Sequence, residues 1–250
     1  MPAGSTMARI VARGRLIAGG NQNAYRMGFR DPASGELVGF EIDLVRELAR
    51  ALFGDPERVQ FTALTAAERI PIVQSGEVDL VLRSMVMTCR GWQEVSFSTE
   101  YYRAYQRVLV PRGSPVREIE DLAGKKVCAA AGGTSIGNIS LMNPRAIPVS
   151  AVEVIDCLVL LQQGQIDAVS TSDVLLAAMV AQDPAVVVVG RPFEPQPYGV
   201  AMNRSAPDLV RFVNGVLERL RADGTWTGTY GRWLGILGPP PAPPQAVYQP

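Results

Sequence analysis

The segment DLVLRSMVMTCRGWQEVSFSTEYY, residues 79–102, decides the fold of this 250-residue chain. It begins with an apolar strand at residues 80–82, continues through a polar turn that carries Arg83, Thr88 and Arg90, and ends in the phrase FSTEYY. Loops that follow strands in α/β sheets are where small ligands bind, and a planar guanidinium matches a carboxylate with two hydrogen bonds. The segment therefore predicts a buried strand that presents a ligand-binding loop.

Strand and helix patterns alternate on both sides of this segment. A helical pattern at residues 40–53 precedes it, and a second α/β unit begins with the strand KVCAAA at residues 126–131. The β-branched run at residues 186–189 is typical of a strand buried on both faces. This alternation predicts α/β lobes with largely parallel sheets. The proline-rich end of the chain predicts a polyproline-like tail that forms neither helix nor sheet.

The composition excludes several classes of function. Apolar residues make up 47% of the chain, and 24 basic residues balance 24 acidic ones, which is not the charge pattern of a nucleic-acid-binding protein. No stretch of about 18 apolar residues predicts a membrane span. The chain has no histidine, so Ser-His-Asp and Cys-His catalysis are excluded, and the three cysteines lack the paired spacing of a zinc or redox site. No metal, cofactor or nucleic acid is therefore predicted.

Five phrases stand in the order found in one protein family, over about residues 14–235. They are GFEIDL at 39–44, RIPIVQSG at 69–76, FSTEYY at 97–102, LAGKKV at 122–127 and ADGTW at 222–226. With the segment at residues 79–102, they closely resemble the family 3 extracellular solute-binding proteins, which carry polar amino acids to membrane transporters.

The resemblance implies an α/β fold of the two-lobed periplasmic-binding-protein type II, in which the chain crosses between the lobes twice. We expect the crossings near residues 107–110 and 195–200. Lobe 1 then comprises residues 1–108 and 198–238, lobe 2 comprises residues 109–197, and residues 239–250 form the proline-rich tail. The expected function is a receptor that closes on a free amino acid.

The carboxylate of the ligand is expected near Gly133, Thr134 and Ser135, which follow a predicted strand. Glycines allow close approach of the backbone, and N–H groups at a helix start favour an anion. Taken alone the motif is weak, because a plain turn has the same composition. The resemblance implies that Thr134 donates to the carboxylate from its backbone and hydroxyl group.

The resemblance also implies an arginine three residues after Thr88, and Gly91 stands there instead. Three alternatives remain open. The loop shifts so that Arg90 takes the role, Arg83 takes it, or the carboxylate clamp is lost.

The ammonium group of the ligand meets a second departure. The family places an aspartate five residues after Asp167, where this chain has Ser172, followed directly by Asp173. Asp173 is equally interpreted as a helix cap, and Ser172 accepts a hydrogen bond but offers no charge. Ser84 and its neighbour Met85, on the turn after the strand, are further candidates, with a backbone carbonyl of Ser84 as an acceptor.

The ligand side chain is expected to meet the first cleft loop. Tyr25 is a candidate lid, although a loop tyrosine often only packs locally. Arg26 and Arg83 are cations beyond the one that the α-carboxylate needs, so they favour glutamate or aspartate. The Asn and Gln side chains of residues 21–23 favour glutamine or asparagine instead.

The cysteines and the first residues bear on the location of the protein. Three buried thiols are one interpretation, and an exported protein with one disulfide is the other. In the second, Cys128 on the first strand of lobe 2 pairs with Cys157 on a helix, and Cys89 stays free. No apolar core of roughly 7–15 residues marks a signal peptide at the start. We expect an extracytoplasmic, monomeric lipoprotein whose export signal lies upstream, with an ABC permease or a membrane sensor as partner.

Two other functions share this architecture. Dehydratases that act on cyclic carboxylic acids have the same bilobal fold, but Glu94 and Glu100 are the only spare acids near residues 79–102. A LysR-like effector domain is expected to come with a DNA-binding helix-turn-helix, and the sequence has no such pattern.

Overall fold

A computed structural model describes residues 2 and 4–248 and gives two α/β units and a small three-stranded sheet. The strands are β1 (Leu16–Gly20), β2 (Asn23–Ala24), β3 (Gly28–Arg30), β4 (Leu37–Val38), β5 (Val59–Ala63), β6 (Leu80–Leu82), β7 (Ser96–Phe97), β8 (Tyr102–Pro111), β9 (Lys126–Ala130), β10 (Ile147–Ala151), β11 (Ala168–Ser172), β12 (Val186–Tyr198) and β13 (Ala201–Met202). The helices are α1 (Thr6–Arg13), α2 (Phe40–Phe53), α3 (Arg69–Ser75), α4 (Cys89–Glu94), α5 (Ser135–Met142), α6 (Val154–Gln162), α7 (Asp173–Gln182), α8 (Pro207–Ala222) and α9 (Thr225–Leu234). The α/β prediction is confirmed.

The first sheet has the strand order β5-β1-β6-β13-β7, with β1 parallel to both β5 and β6 and β13 antiparallel to its neighbours. Helix α2 packs its apolar face on this sheet, begins after Gly39 and ends at the left-handed Gly54. Gly39 has φ 136°, and an added Cβ would lie 2.5 Å from the carbonyl oxygen of Met27. Only glycine therefore fits this helix start.

The second sheet has the order β10-β9-β11-β8-β12, in which β9, β10 and β11 are parallel to one another and β8 is antiparallel to both of its neighbours, β11 and β12. The long strands β8 and β12 extend past β11 as a two-stranded ribbon, where residues 102–106 pair with 194–198. This ribbon carries both crossings between the units. Residues 106–109 pair with β11 inside the second sheet, so the first crossing lies earlier than the predicted 107–110. One continuous strand serves both the ribbon and the sheet.

Each unit has its own hydrophobic core, and the first of these cores also takes in Val174 and Leu175 of α7. The first lies between α2, α8, α9 and the first sheet, and includes the fully buried Trp226 and Phe40. The second unit packs α6 and α7 on its sheet, and there Cys128 of β9 is bonded to Cys157 of α6 with Cα atoms 5.6 Å apart. Cys89 is a free, exposed thiol.

The end of the chain has no helix or strand from residue 239 to 248, and residues 249–250 of the predicted tail lie outside the described residues. Residues 1 and 3 of the predicted lobe 1 also lie outside them. Within the described part of the chain, no helix combines the length and apolar character needed to cross a bilayer.

Candidate functional site

A cleft of about 860 Å³ separates the two units and has the ribbon at its base. From the first unit it is lined by the start of α3 and by the loop after β6. From the second unit it is lined by the loop after β9, the start of α5 and the end of β11. Among the residues that line the cleft are Asn21, Arg69, Arg83, Ser84, Met85, Arg90, Gly133, Thr134, Ser135, Asn138, Glu153, Thr171, Ser172 and Gln196.

Arg69, at the first position of α3, is a buried cation on the cleft wall. Its Nε donates to the carbonyl of Ala66 at 2.8 Å and its Nη1 to the carbonyls of Arg83 and Ser84, both at 3.3 Å. Its Nη2 donates across the cleft to the carbonyl of Gly132 at 3.1 Å. Burial, with the nearby Arg83 cation, lowers the pKa of Arg69 to about 10. The guanidinium group stays charged at neutral pH. These four carbonyl groups are uncharged, so they do not neutralise it.

Arg83 forms an ion pair that joins the two units. Its Nη2 lies 2.6 Å from the Oε2 of Glu153, and the two side chains are 7% and 16% exposed. Its Nε also donates to the carbonyl of Leu64. Glu153 is at the same time the N-cap of α6, where its side chain accepts the backbone N–H of Asp156. The Arg83 cation is therefore partly neutralised by the protein itself.

Ser84 is held in a strained turn by the buried carboxylate of Glu41. The residue has φ 44°, in the left-handed region. Its N–H and its hydroxyl both donate to Oε1 of Glu41, as does the hydroxyl of Tyr101. Burial raises the pKa of Glu41 against these hydrogen bonds, which lower it. The carbonyl of Ser84, expected to accept from a ligand, accepts from Arg69.

The opposite wall presents the N-terminus of α5. Thr134 is its N-cap, and the hydroxyl of Thr134 makes no capping hydrogen bond within the helix. The positive end of a helix dipole and its free N–H groups favour an anion. Close beside it, Gly132 touches Ala67 of the first unit, so the cleft is in a closed arrangement.

Eight of the predicted ligand-binding residues line this cleft. They are Arg83, Ser84, Met85, Arg90, Gly133, Thr134, Ser135 and Ser172.

Arg90 lies at the mouth of the cleft, where the sequence-based expectation had placed it inside. Its side chain is 85% exposed, and its Nε lies 2.9 Å from Oε1 of Glu94, one turn along α4. At Gly91 an added Cβ would lie 3.0 Å from the ring of Phe97 and 3.2 Å from the hydroxyl of Thr88. Packing on Phe97 therefore leaves little room for an arginine at position 91.

Asp173 does not face the cleft, in contrast to its neighbour Ser172. It lines a second cavity of about 1030 Å³ with Arg103, Tyr105 and Arg107 of the ribbon. The proline-rich tail borders the same cavity. Asp173 accepts the N–H of Val174 at 2.8 Å, and burial raises its pKa. The two neighbours lie on opposite sides because successive residues at a strand end alternate in direction.

Tyr25 and Arg26 also lie away from the cleft lining, which corrects their expected role as lid and side-chain contact. They form the turn between β2 and β3, which packs on α9. Arg26 Nη1 donates to the carbonyl of Trp233 at 3.2 Å, and its Cζ lies 5.2 Å from the centre of the Tyr25 ring. Asn21, in the loop between β1 and β2, does reach the cleft and is 5% exposed.

The sequence-based candidates omit Arg69, Glu153 and Gln196. Arg69 stands at the start of an apolar helix, and Glu153 with Asp156 has the spacing of a capping box. Both residues could therefore have been placed at helix starts from the sequence. Gln196 lies between two prolines, and no sequence pattern marks it as a site residue.

Across the described residues, no group of three or more Cys, Asp or Glu side chains is arranged to hold a metal ion.

Comparisons with known proteins agree with this architecture. Residues 16–236 match the model of the bacterial extracellular solute-binding proteins, family 3. The chain is 32% identical over 230 residues to the glutamine-binding protein GlnH of an ABC transporter of Bacillus subtilis, covering 92% of this chain and 84% of that protein.

Two solved structures are similar in fold and sequence. An ancestral arginine-binding protein bound to glutamine has a TM-score of 0.84 and 33% identity, covering 89% of this chain and 99% of that one. An ancestral amino-acid-binding protein, described as a precursor of cyclohexadienyl dehydratase, has a TM-score of 0.84 and 31% identity, covering 92% and 99%. The bilobal type II fold predicted from the sequence is confirmed, and the chain belongs to the bacterial extracellular solute-binding proteins of family 3.

Proposed function

We propose that this protein is an extracytoplasmic receptor that closes on a free polar amino acid and presents it to a membrane permease or sensor. Glutamate and aspartate are the favoured ligands, with glutamine and asparagine next. The observation that carries the proposal is the closed cleft, in which cations from one unit face a helix N-terminus from the other. Both features stabilise a carboxylate.

The charge of the cleft favours a ligand with at least one carboxylate. Arg69 and Arg83 contribute two guanidinium groups, and Glu153 neutralises only Arg83. The pair of Arg90 and Glu94 at the mouth adds no net charge. An excess positive charge inside a low-dielectric cleft attracts an anion strongly.

The nature of the ligand side chain follows from the same residues. An acidic side chain uses the excess cation of Arg69, whereas an amide side chain uses polar neighbours such as Asn21 and Asn138. The name of the Bacillus subtilis relative supports an amide, and the arginines support an acid. Arg26 makes no contact with the ligand in this proposal, because it lies in the turn between β2 and β3 and binds the carbonyl of Trp233.

Closure supplies the mechanism of a receptor. A ligand that contacts both units favours the closed arrangement over the open one, and it shifts the equilibrium by its difference in affinity for the two. The ribbon of β8 and β12 is the hinge in this proposal, because it alone carries the chain between the sheets. The membrane partner then recognises the surface of the closed form.

The test is isothermal titration calorimetry of the ligand-stripped protein with glutamate, aspartate, glutamine, asparagine and arginine. Micromolar or tighter binding of the acids alone supports an acid receptor, and preference for the amides moves the side-chain contact to the polar residues of the cleft. Failure of all five to bind would reject an amino-acid receptor.

A dehydratase acting on a cyclic carboxylic acid is the alternative, and the relationship to the ancestral precursor of such an enzyme is the observation that favours it. General acid–base chemistry needs a carboxylic acid free to exchange a proton with the substrate. Glu153 is engaged by Arg83 and Glu94 by Arg90. Product formation from a prephenate-like substrate would establish this activity in place of a receptor.

A further inference from the structure

Gln196 lies on the ribbon at the base of the cleft, where it lines the cavity and is 2% exposed. Its Nε2 donates to Oε1 of Gln106 at 3.3 Å. Among the described residues, its Oε1 has no hydrogen-bond partner. A buried carbonyl oxygen without a partner is uncommon in folded proteins and calls for an explanation.

The surrounding hydrogen bonds fix which way the Gln196 amide points. Nε2 of Gln106 donates to the carbonyl of Ser135 at 3.2 Å, and a carbonyl only accepts. Nε2 of Gln106 also donates to the hydroxyl of Ser170 at 2.9 Å, and that hydroxyl uses its own proton on the carbonyl of Arg107. The Oε1 of Gln106 is therefore an acceptor.

Two amide groups donate to that acceptor. Nδ2 of Asn138 lies 2.8 Å from Oε1 of Gln106, and the remaining donor is Nε2 of Gln196. Exchanging the O and N atoms of the Gln196 amide would set two carbonyl oxygens against each other. The network thus fixes Oε1 of Gln196 as the amide atom that is left without a partner.

We infer that Oε1 of Gln196 accepts a hydrogen bond from the ammonium group of the bound amino acid. This inference rests on the proposed function and adds a contact to it. Ser172, which stands where a charged ammonium partner is expected, lines the same cleft and brings no charge. A ligand N–H satisfies the free carbonyl, and the carbonyl compensates for the missing carboxylate.

The experiment compares ligands with and without the α-amino group. Calorimetry first identifies whether the parent protein binds L-glutamate or L-glutamine. The same protein is then titrated with the deaminated counterpart, glutarate or glutaramate. The variant Gln196→Met removes the acceptor at similar volume, and Gln196→Glu keeps an oxygen acceptor while it loses the donor to Gln106. Thermal melting checks that both variants fold.

The expected result is a loss of about 10- to 100-fold in amino-acid affinity for Gln196→Met, the usual worth of a hydrogen bond to a charged group. Its affinity for the deaminated counterpart stays unchanged, and Gln196→Glu retains amino-acid binding. An equal loss for both ligands, or no loss, would overturn the contact while the receptor function stands. A parent protein that binds none of glutamate, aspartate, glutamine, asparagine and arginine would reject the receptor function itself.

Discussion

Replacing Gly132 with alanine is expected to keep the two units from closing completely. Gly132 has φ 75°, and an added Cβ would lie 2.6 Å from Cα, 2.8 Å from N and 2.9 Å from Cβ of Ala67. Ala67 belongs to the other unit, so this clash exists only when the cleft is closed. The left-handed backbone, in contrast, strains an alanine in the open and the closed form alike. The substitution thus separates an effect on closure from an effect on folding.

The size of the effect on closure follows from the contacts at Gly132. Restoring an ordinary carbon–carbon separation requires the walls to move apart by about 1 Å at this point. The hydrogen bond from Arg69 to the carbonyl of Gly132 is 3.1 Å long, and the same movement breaks it. A hydrogen bond from a charged group contributes about 1.5–3 kcal/mol, which corresponds to a loss of roughly 10- to 150-fold in ligand affinity.

Gly164→Ala is the matched control for the backbone strain. Gly164 has φ 67°, and an added Cβ would meet nothing within 4 Å. Both variants are expected to lose about 1–2 kcal/mol of unfolding free energy, from the left-handed backbone, measured by urea denaturation. Calorimetry with the amino acid that the parent binds is expected to show weaker binding for Gly132→Ala alone. Parent-like affinity of Gly132→Ala would refute the closed contact as a feature of the bound state.

Two further predictions concern buried charges. Glu153→Gln keeps an oxygen to cap α6 but removes the charge that pairs with Arg83. In the ligand-free protein, this is expected to shift the free-energy difference between the closed and open forms by about 1.5–3 kcal/mol towards the open form. Small-angle X-ray scattering measures this as a larger radius of gyration. Because burial raises the pKa of Glu41 above its usual 4.5, the folded state holds a proton that the unfolded state has lost. Stability is therefore expected to fall as pH rises from 4.5 through the raised pKa, and Glu41→Gln is expected to flatten that fall in urea midpoints.

Each of these predictions has an outcome that contradicts it. An unchanged radius of gyration in Glu153→Gln would mean that the ion pair does not hold the ligand-free protein closed. An equally steep loss of stability in the parent and in Glu41→Gln would assign the pH dependence to other carboxyl groups.

The fold was predictable because its signals are local and repeat along the chain. Apolar strands, helices that end at glycines and five ordered phrases specify the α/β alternation whatever the tertiary contacts are. The first crossing was misplaced by several residues because β8 is a continuous strand. A strand that leaves one sheet for a ribbon keeps the same alternation of side chains, so the sequence has no mark at that point.

The site was only partly predictable from the sequence. At the end of a strand or helix, the direction in which each side chain points decides whether it reaches the cleft. Ser172 and Asp173 are adjacent, yet only the serine lines the cleft. The Arg90–Glu94 spacing of four residues on a helix is a local signal for a surface pair. The partnership of Arg83 with Glu153 joins residues 70 positions apart, and no local pattern reveals such a contact.

The departures at Gly91 and Ser172 remove one charge of each sign from the positions where the resemblance implies them. Losing both together leaves the net charge of a site for a zwitterion unchanged. What the site then needs is another donor for the carboxylate and another acceptor for the ammonium group. Arg69 provides a cation whose named partners are all neutral carbonyls, and Gln196 provides a fixed acceptor without charge. A site with a full cation at one end and only a dipole at the other discriminates by the anion of its ligand. This asymmetry makes a carboxylate the principal requirement of the proposed site, and every free amino acid carries one.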